Sequence, residues 1–404
     1  MEVLYASCGG LDVHKKMVMA CSLVEGKKEV RSFGTTTAAL YELRDWLLER
    51  QCTHVAMEST GSYWKPVYNL LEEHFTLVLG NARDIKIVPG RKSDVKDAEW
   101  IADLLRHGLL RPSFVPARAE RELRELTRYR QSLVGERSAE VNRVQKVLEG
   151  ANIKLGSVAS SVVGKSGMAI LKAIVSGVED NTVLALLAKG RLHASPEELE
   201  AALLGSVHPH QRFLLKQQLH HIAELDNLIE EVQAEVARRE APFEAARRDL
   251  VTIPGVGERI ADIILSELGA DVERFPTPGH LASWAGLCPG LNESAGKRLS
   301  SRTTNGNQAI RVAMVQAAHS AARTATHLGA RYRSLRPRLG GQKTAIAVAR
   351  SVLIAVYSVL KQHLPFRDLG IAYLLPDPQR RAESHLKQLQ RLGYSVTIQR
   401  APAA

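Results

Sequence analysis

The sequence predicts an α/β domain at its amino end, then a long helical region, then a mostly α-helical basic domain. Three observations carry this expectation. Short β-rich runs alternate with helical patterns over about the first 115 residues. A charged segment with apolar residues spaced by threes, fours and sevens begins at Arg118. Farther on, Pro254-Gly255-Val256-Gly257 separates two apolar periodic segments, the pattern of two helices joined by a glycine hairpin.

Residues 3–24 read as two strands, with Gly9-Gly10-Leu11-Asp12-Val13 closing the first and 17–24 forming the second; 30–33 is a candidate third. Residues 35–50 place Leu40, Leu43, Leu47 and Leu48 on one helical stripe behind a threonine run suited to capping. A strand at 54–57, a helix at 63–73, a short strand at 76–79 and an amphipathic helix at 95–107 complete a mixed sheet flanked by helices. Beyond Pro112 and Pro116, residues 118–150 form a charged, almost uninterrupted helix with Leu123, Leu126, Leu133, Val134, Val141, Val144 and Leu148 along a coiled-coil seam. Residues 211–241 carry a second such face, and the two seams predict pairing within one chain or between chains, with self-association to a dimer or tetramer. Between them, 151–210 offer a Gly/Ser-rich patch and a helix start at Pro196. Helices at 309–325 and 344–360 follow the glycine hairpin, and the tail after Pro365 is short and mixed. The expected segments are 1–116, 117–248, 249–365 and 366–404.

At 404 residues, 45% hydrophobic and 24% charged, the chain is too long for one ordinary core and has the composition of a soluble globular protein. No apolar run is read as approaching the roughly 18–20 residues of a membrane span, and the amino end shows no basic leader, which predicts a cytoplasmic protein without membrane contact. Cys8, Cys21, Cys52 and Cys288 have no paired spacing, so neither a zinc site nor a disulfide framework is expected. His208, His210, His220 and His221 read better as surface residues than as metal ligands. The net charge is +11, and between 275 and 351 eleven lysines and arginines face one acid, Glu293. So one-sided a stretch attracts polyanions, nucleic acid first among them. Gly255 and Gly257 leave backbone N–H groups free at the start of the second hairpin helix, where a phosphate is favoured; Lys297, Arg298, Arg302 and Arg311 are the expected cationic partners.

Four acids of the first domain invite comparison. Asp12 and Glu58 fall at the ends of strands, and Asp94 and Asp97 share one face at the start of a helix. If they converge, they supply the oxygen ligands that two hard Mg²⁺ ions need for phosphoryl transfer. Taken singly, each has an ordinary structural reading as a cap, a turn residue or an exposed acid.

Their neighbours carry a resemblance. Gly10-Leu11-Asp12-Val13-His14-Lys15, Met57-Glu58-Ser59-Thr60-Gly61-Ser62-Tyr63-Trp64 and Lys92-Ser93-Asp94-Val95-Lys96-Asp97-Ala98 resemble the three signature blocks of the DEDD transposases of bacterial insertion sequences, the group that includes the Piv DNA invertase. The similarity continues through Ile253-Pro254-Gly255-Val256-Gly257, Phe275, Trp284-Ala285-Gly286-Leu287-Cys288-Pro289 and Ser294-Ala295-Gly296-Lys297, in the same order. The resemblance implies a RuvC-like amino-terminal domain of the ribonuclease H type, with Asp12, Glu58, Asp94 and Asp97 as metal ligands. A coiled coil and a carboxy-terminal transposase domain with a helix-hairpin-helix would follow. It also implies a serine that attacks a DNA phosphodiester and holds the strand as a phosphoserine, and guidance by a bridge RNA that pairs with donor and target DNA.

Ser294 sits where the family's serine-glycine pair falls, in a glycine-containing loop beside Lys297 and Arg298, which could neutralise a phosphate. Ala295 stands where the family commonly has glycine, and Ser300 and Ser301 are close rivals. The expected function is a site-specific recombinase that mobilises its own insertion sequence. Two alternatives stand beside it: a hydrolytic RuvC-like nuclease acting on branched DNA, and a non-enzymatic helix-hairpin-helix protein that organises nucleic acid.

Overall fold

Strand β1 (Ser7–Val13) is buried from Cys8 to Val13, and burial on both faces makes it the centre of a sheet rather than an edge. It pairs antiparallel with β2 (Met17–Val24), and β2 pairs antiparallel with β3 (Lys27–Gly34). On its other side β1 runs parallel to β4 (His54–Glu58), which carries the parallel β5 (Thr76–Gly80). The order is β3-β2-β1-β4-β5. Glu25 and Gly26, with φ of 48° and 86°, make the two-residue turn between β2 and β3, a geometry that suits the twist of a hairpin. Exposed Lys27, Lys28 and Arg31 place charge along the β3 edge, which discourages further strand addition. The computed structural model describes residues 2–59, 61–80, 94–188, 194–290, 292–294, 297–300, 302–368, 370 and 378–396; at 94–95, 292–294, 297–300, 378–382 and 384–385 it describes the backbone alone.

Alternation along β1 sends Leu11 and Val13 toward helices α1 (Thr37–Glu49) and α2 (Trp64–Leu71), in a core completed by Leu43, Leu47, Val55 and Met57. The opposite face, with Cys8, Cys21 and Ala56, packs on α3 (Asp94–Arg106) through Ala98, Ile101, Ala102 and Leu105. Thr36 caps α1 by accepting from the Ala39 N–H. The stripe of α1 is Leu40, Leu43, Trp46 and Leu47; Leu48, expected on it, is 44% exposed, because it lies round the helix from the line through residues 40, 43 and 47. The three buried thiols, Cys8, Cys21 and Cys52, are pushed up to about 12, 12 and 11, chiefly by burial, and remain protonated.

The chain divides into two compact units, Met1–Val115 and Pro116–Ala404. In the second, α4 (Arg118–Gly150) is followed by α5 (Leu155–Val158), α6 (Lys165–Ser176), α7 (Asn181–Leu186), α8 (Pro196–Leu203) and α9 (Pro209–Glu240). The long helices α4 and α9 run antiparallel: Arg239 reaches Glu122, Arg137 reaches Asp226, and His221 reaches Glu140. Their apolar faces meet within the chain, Leu133 against Leu225 and Ile229, and Val144 and Leu148 against Leu215, Leu219 and Ile222. The short helices α5 to α8 roof the open end of this pair with Ile170, Leu171, Ile174, Leu184, Leu199 and Leu203. Pairing inside the chain removes much of the apolar surface that had motivated an association between chains.

Helix α10 (Glu244–Val251) ends before Gly255, because Pro254 disfavours helical backbone at Ile253. Helix α11 (Glu258–Leu268) opens after Gly257, followed by α12 (Pro278–Trp284), the hairpin β6 (Asn292–Ser294) with β7 (Lys297–Ser300), and α13 (Gln308–Ala321). Helix α14 (His327–Gln362) contains Pro337 and breaks at Gly340, whose φ is 74°. It corrects one expectation: a window of this helix is long and apolar enough to cross a membrane. Its residues Val348, Ala349, Val352, Leu353 and Val356 are buried in the unit, however, as in the core helix of a globular domain. Helix α15 (Pro378–Arg391) is the last of the described helices.

Candidate functional site

Strands β1 and β4 end side by side. Leu11 pairs with Met57, so Asp12 and Glu58 are the next residues along two parallel strands. Since Cys8 and Ala56 face α3, the two-residue period puts Asp12 and Glu58 on that same face. Helix α3 runs antiparallel to β1: the Leu4 N–H donates to the Arg106 carbonyl, the Cys8 thiol reaches the Ala102 carbonyl, and Gly10 lies under Ala98. Four residues of helix advance about 6 Å and two of strand about 6.6 Å, so the next step sets the first turn of α3 over Asp12. That turn contains Asp94 and Asp97. By this step the carboxyl ends of β1 and β4 and the amino end of α3, the backbone positions that carry the four predicted acids, lie toward one corner.

Gly10 makes this approach possible. A Cβ there would lie 2.4 Å from both the Ala98 carbonyl oxygen and the Ala102 nitrogen. Asp12 is buried, at 9% exposure, and its Oδ2 stands 3.0 Å from Nε2 of the half-exposed His14. Sequence reading had assigned His14 no part. The available signal was its spacing, since residues two apart on an extended chain share a face. Glu58 and Asp97 are half-buried. The side chain of Asp94 lies outside the described residues, and among the described residues no group of three or more His, Cys, Asp or Glu could hold a metal ion. As a donor set the four acids are all oxygen, the chemistry a hard divalent ion requires.

In the second unit Ser294 ends strand β6 and pairs with Lys297, across a two-residue connection that lies outside the described residues. The expectation was a loop; the backbone makes a hairpin, and of the rivals Ser300 ends β7 while Ser301 lies outside the described residues. The backbones of Lys297 and Arg298 belong to the facing strand. The Arg302 carbonyl accepts from the Gly290 N–H, and Arg311 occupies the first turn of α13. Not every base of the region is available to a ligand: Arg333 Nη1 donates to the carbonyls of Ala322 and Thr324 and so caps the end of α13.

The two hairpin glycines differ. Gly255, at φ +90°, faces the backbone of α13, where a Cβ would lie 2.2 Å from the Ala317 oxygen; Gly257 is exposed with open space around it. Gly255 thus serves helix packing, while Gly257 leaves the amino end of α11 uncovered. Sequence reading also missed how α11 is held. Its Asp262, Ser266 and Glu267 are fully buried: Asp262 takes Arg130 and Arg247, Ser266 takes the Thr127 hydroxyl, and Glu267 takes Arg124, Arg128 and Asn307.

Two family models match the chain. The DEDD transposase model of the IS110 type covers residues 9–153, and the transposase model of the IS116/IS110/IS902 family covers residues 247–333; together they span more than half of it. No curated protein matches. The first match takes in Asp12, Glu58, Asp94 and Asp97, and the mixed sheet fits the RuvC-like fold of such a domain. The second takes in the glycine hairpin and Ser294. Nucleases of this class use divalent metal ions. The chain belongs to the IS110 family of DEDD transposases, enzymes of insertion sequences that bind DNA, cleave it and transfer its strands.

Proposed function

We propose that the protein is a site-specific recombinase that moves its own insertion sequence, with Asp12, Glu58, Asp94 and Asp97 holding Mg²⁺ and Ser294 as nucleophile. The observation that carries the reading is the register that brings β1, β4 and the start of α3 to one corner. Bound there, Mg²⁺ would supply charge neutralisation for the phosphodiester and its leaving oxygen. The Ser294 Oγ forms a bond to phosphorus as the bond to the deoxyribose oxygen breaks, and the oxygen leaves with a proton. The hydroxyl of the incoming strand then attacks the phosphoserine, its bond to phosphorus replacing that of the serine, which recovers its proton. Lys297 and Arg298 follow in the facing strand and neutralise the phosphate.

Lys297, Arg298, Arg302 and Arg311, with the uncovered start of α11 at Gly257 and its hairpin partner Gly255, make up the nucleic-acid contact, in a helix-hairpin-helix that grips phosphates without regard to sequence. The antiparallel α4 and α9 act as a coiled-coil arm. Sequence choice is left to a bridge RNA pairing with donor and target DNA, the protein acting in the cytoplasm as a dimer or tetramer, since exchange between two duplexes needs several active sites. Asp12→Asn, Glu58→Gln, Asp94→Asn and Asp97→Asn should each lower recombination by at least about a hundredfold, with nucleic-acid binding retained in a gel-shift assay. A double variant of this set that recombines at the wild-type rate would overturn the metal-centre reading.

A further inference from the structure

A groove of about 830 Å³ lies in the second unit, between the middle of α4 and the first turns of α11 and α13. Its lining includes Arg128, Arg130 and Arg259 and no carboxylate. Each buried carboxylate behind that wall faces two guanidinium groups, Asp262 with Arg130 and Arg247, Glu267 with Arg124 and Arg128. Glu240, 3.4 Å from Arg247, has its carboxyl pushed up by burial and by Asp262. Glu258, at the head of α11, is engaged by Arg247 at 3.3 Å and lies outside the lining. Arg247 also faces Glu244, at 3.9 Å, so the pairs behind the wall nearly balance; the free positive charge at the groove is the exposed Arg259, which has no ion-pair partner among the described residues.

Three glutamines, Gln131, Gln308 and Gln316, also line the groove, and among the described residues their side-chain amides make no hydrogen bond. Val134, Ile260, Ile263 and Val312 give it an apolar portion. Both helix starts add unpaired backbone N–H groups, at residues 258–259 of α11 and 308–309 of α13, whose cap Asn307 spends its side chain on Ile310 and Glu267. Cations at the rim, free amides and an apolar wall are together the requirements of a nucleotide: phosphate, base edge and base face. The size suits roughly one or two nucleotides of a single strand and excludes a duplex.

We propose that this groove binds an unpaired polynucleotide strand, with phosphate at Arg128, Arg259 and the two helix starts and the base against the apolar wall within reach of the glutamines. The site is separate from the acidic corner, and its failure would leave the metal-centre reading untouched. The test uses the full-length protein with Arg259→Glu and Gln308→Glu, both at exposed positions, and Lys216→Glu on α9 as a charge control. Fluorescence anisotropy would follow binding of one short labelled sequence as single-stranded DNA, as RNA and as duplex DNA over a range of salt concentrations. The two groove variants should weaken at least one single-stranded probe about tenfold and make the slope of log K against log salt shallower by about 0.7 for each phosphate no longer neutralised. Lys216→Glu should stay within about twofold. Weakening confined to RNA or to single-stranded DNA assigns the strand. Groove variants that match Lys216→Glu on every probe, or weaken only duplex binding, would overturn the proposal. Should a variant melt early, photocrosslinking of the wild-type protein to a thio-substituted strand decides instead: adducts at 128–138, 259–263 or 306–316 support the groove, and adducts exclusively elsewhere refute it.

Discussion

A methyl group on Gly10 would collide with the backbone of α3, and backbone cannot rotate away as a side chain can. Gly10→Ala should cost about 1–3 kcal/mol of stability and, by lifting α3 off β1, separate Asp94 and Asp97 from Asp12. Thermal melting and a recombination assay check the two halves, and a variant with normal activity would mean that this close approach does not set the site. The hairpin glycines should divide similarly. Gly255→Ala meets both a positive φ and the Ala317 oxygen and should destabilise by more than about 1 kcal/mol, whereas Gly257→Ala should change melting little. Glu240 makes a prediction in pH. Its folded value of about 8 lies above the ordinary 4.5, so its contribution is full below 4.5 and lost as the pH rises through 8. Stability should therefore fall across that window, by up to about 1.4 kcal/mol per pH unit for one group, and Glu240→Gln should flatten the slope measured by denaturation. At this scale the sequence singles out the four acids by their residue types and neighbours, and the variants proposed above test their role. The roles of Gly10 and His14 were not, since each depends on a partner that only the register supplies.

Helix α11 shows how an element can mislead. Its sequence reads as an apolar segment opening a phosphate-binding hairpin, yet beyond its first turn it is wholly buried, with a charged stripe turned inward onto α4. Removing one member of a buried pair strands the other, so Asp262→Ala, which leaves the buried Arg130 without its carboxylate, should cost about 3–5 kcal/mol. Chemical denaturation measures it, and a change below about 1 kcal/mol would show that solvent reaches the clamp. The stripe was invisible beforehand because Asp262, Ser266 and Glu267 look like the polar face of a surface helix. By contrast, the limits of α4 were readable to the residue, since Pro116 precedes it and its periodicity runs unbroken to Gly150. Of the small helices between α4 and α9, the start of α8 was readable from Pro196; the others were not, α5 and α7 because they are too short to show a period, and all owe their form to the roof they make over that pair.

For the whole molecule, the periodicity told of an α/β unit and a helical one, while the function came through blocks of residues whose spacing no periodicity explains. The central claim is that strand transfer passes through a serine ester fed by the acidic corner. It is tested most directly by incubating the protein with Mg²⁺, its cognate DNA and guide RNA, denaturing, and mapping any protein–DNA adduct by mass spectrometry. The account predicts an adduct on Ser294, absent from Ser294→Ala and from Asp12→Asn. Robust cleavage without adduct by a variant lacking Ser294, Ser300 and Ser301 would contradict it, because water would then be the nucleophile.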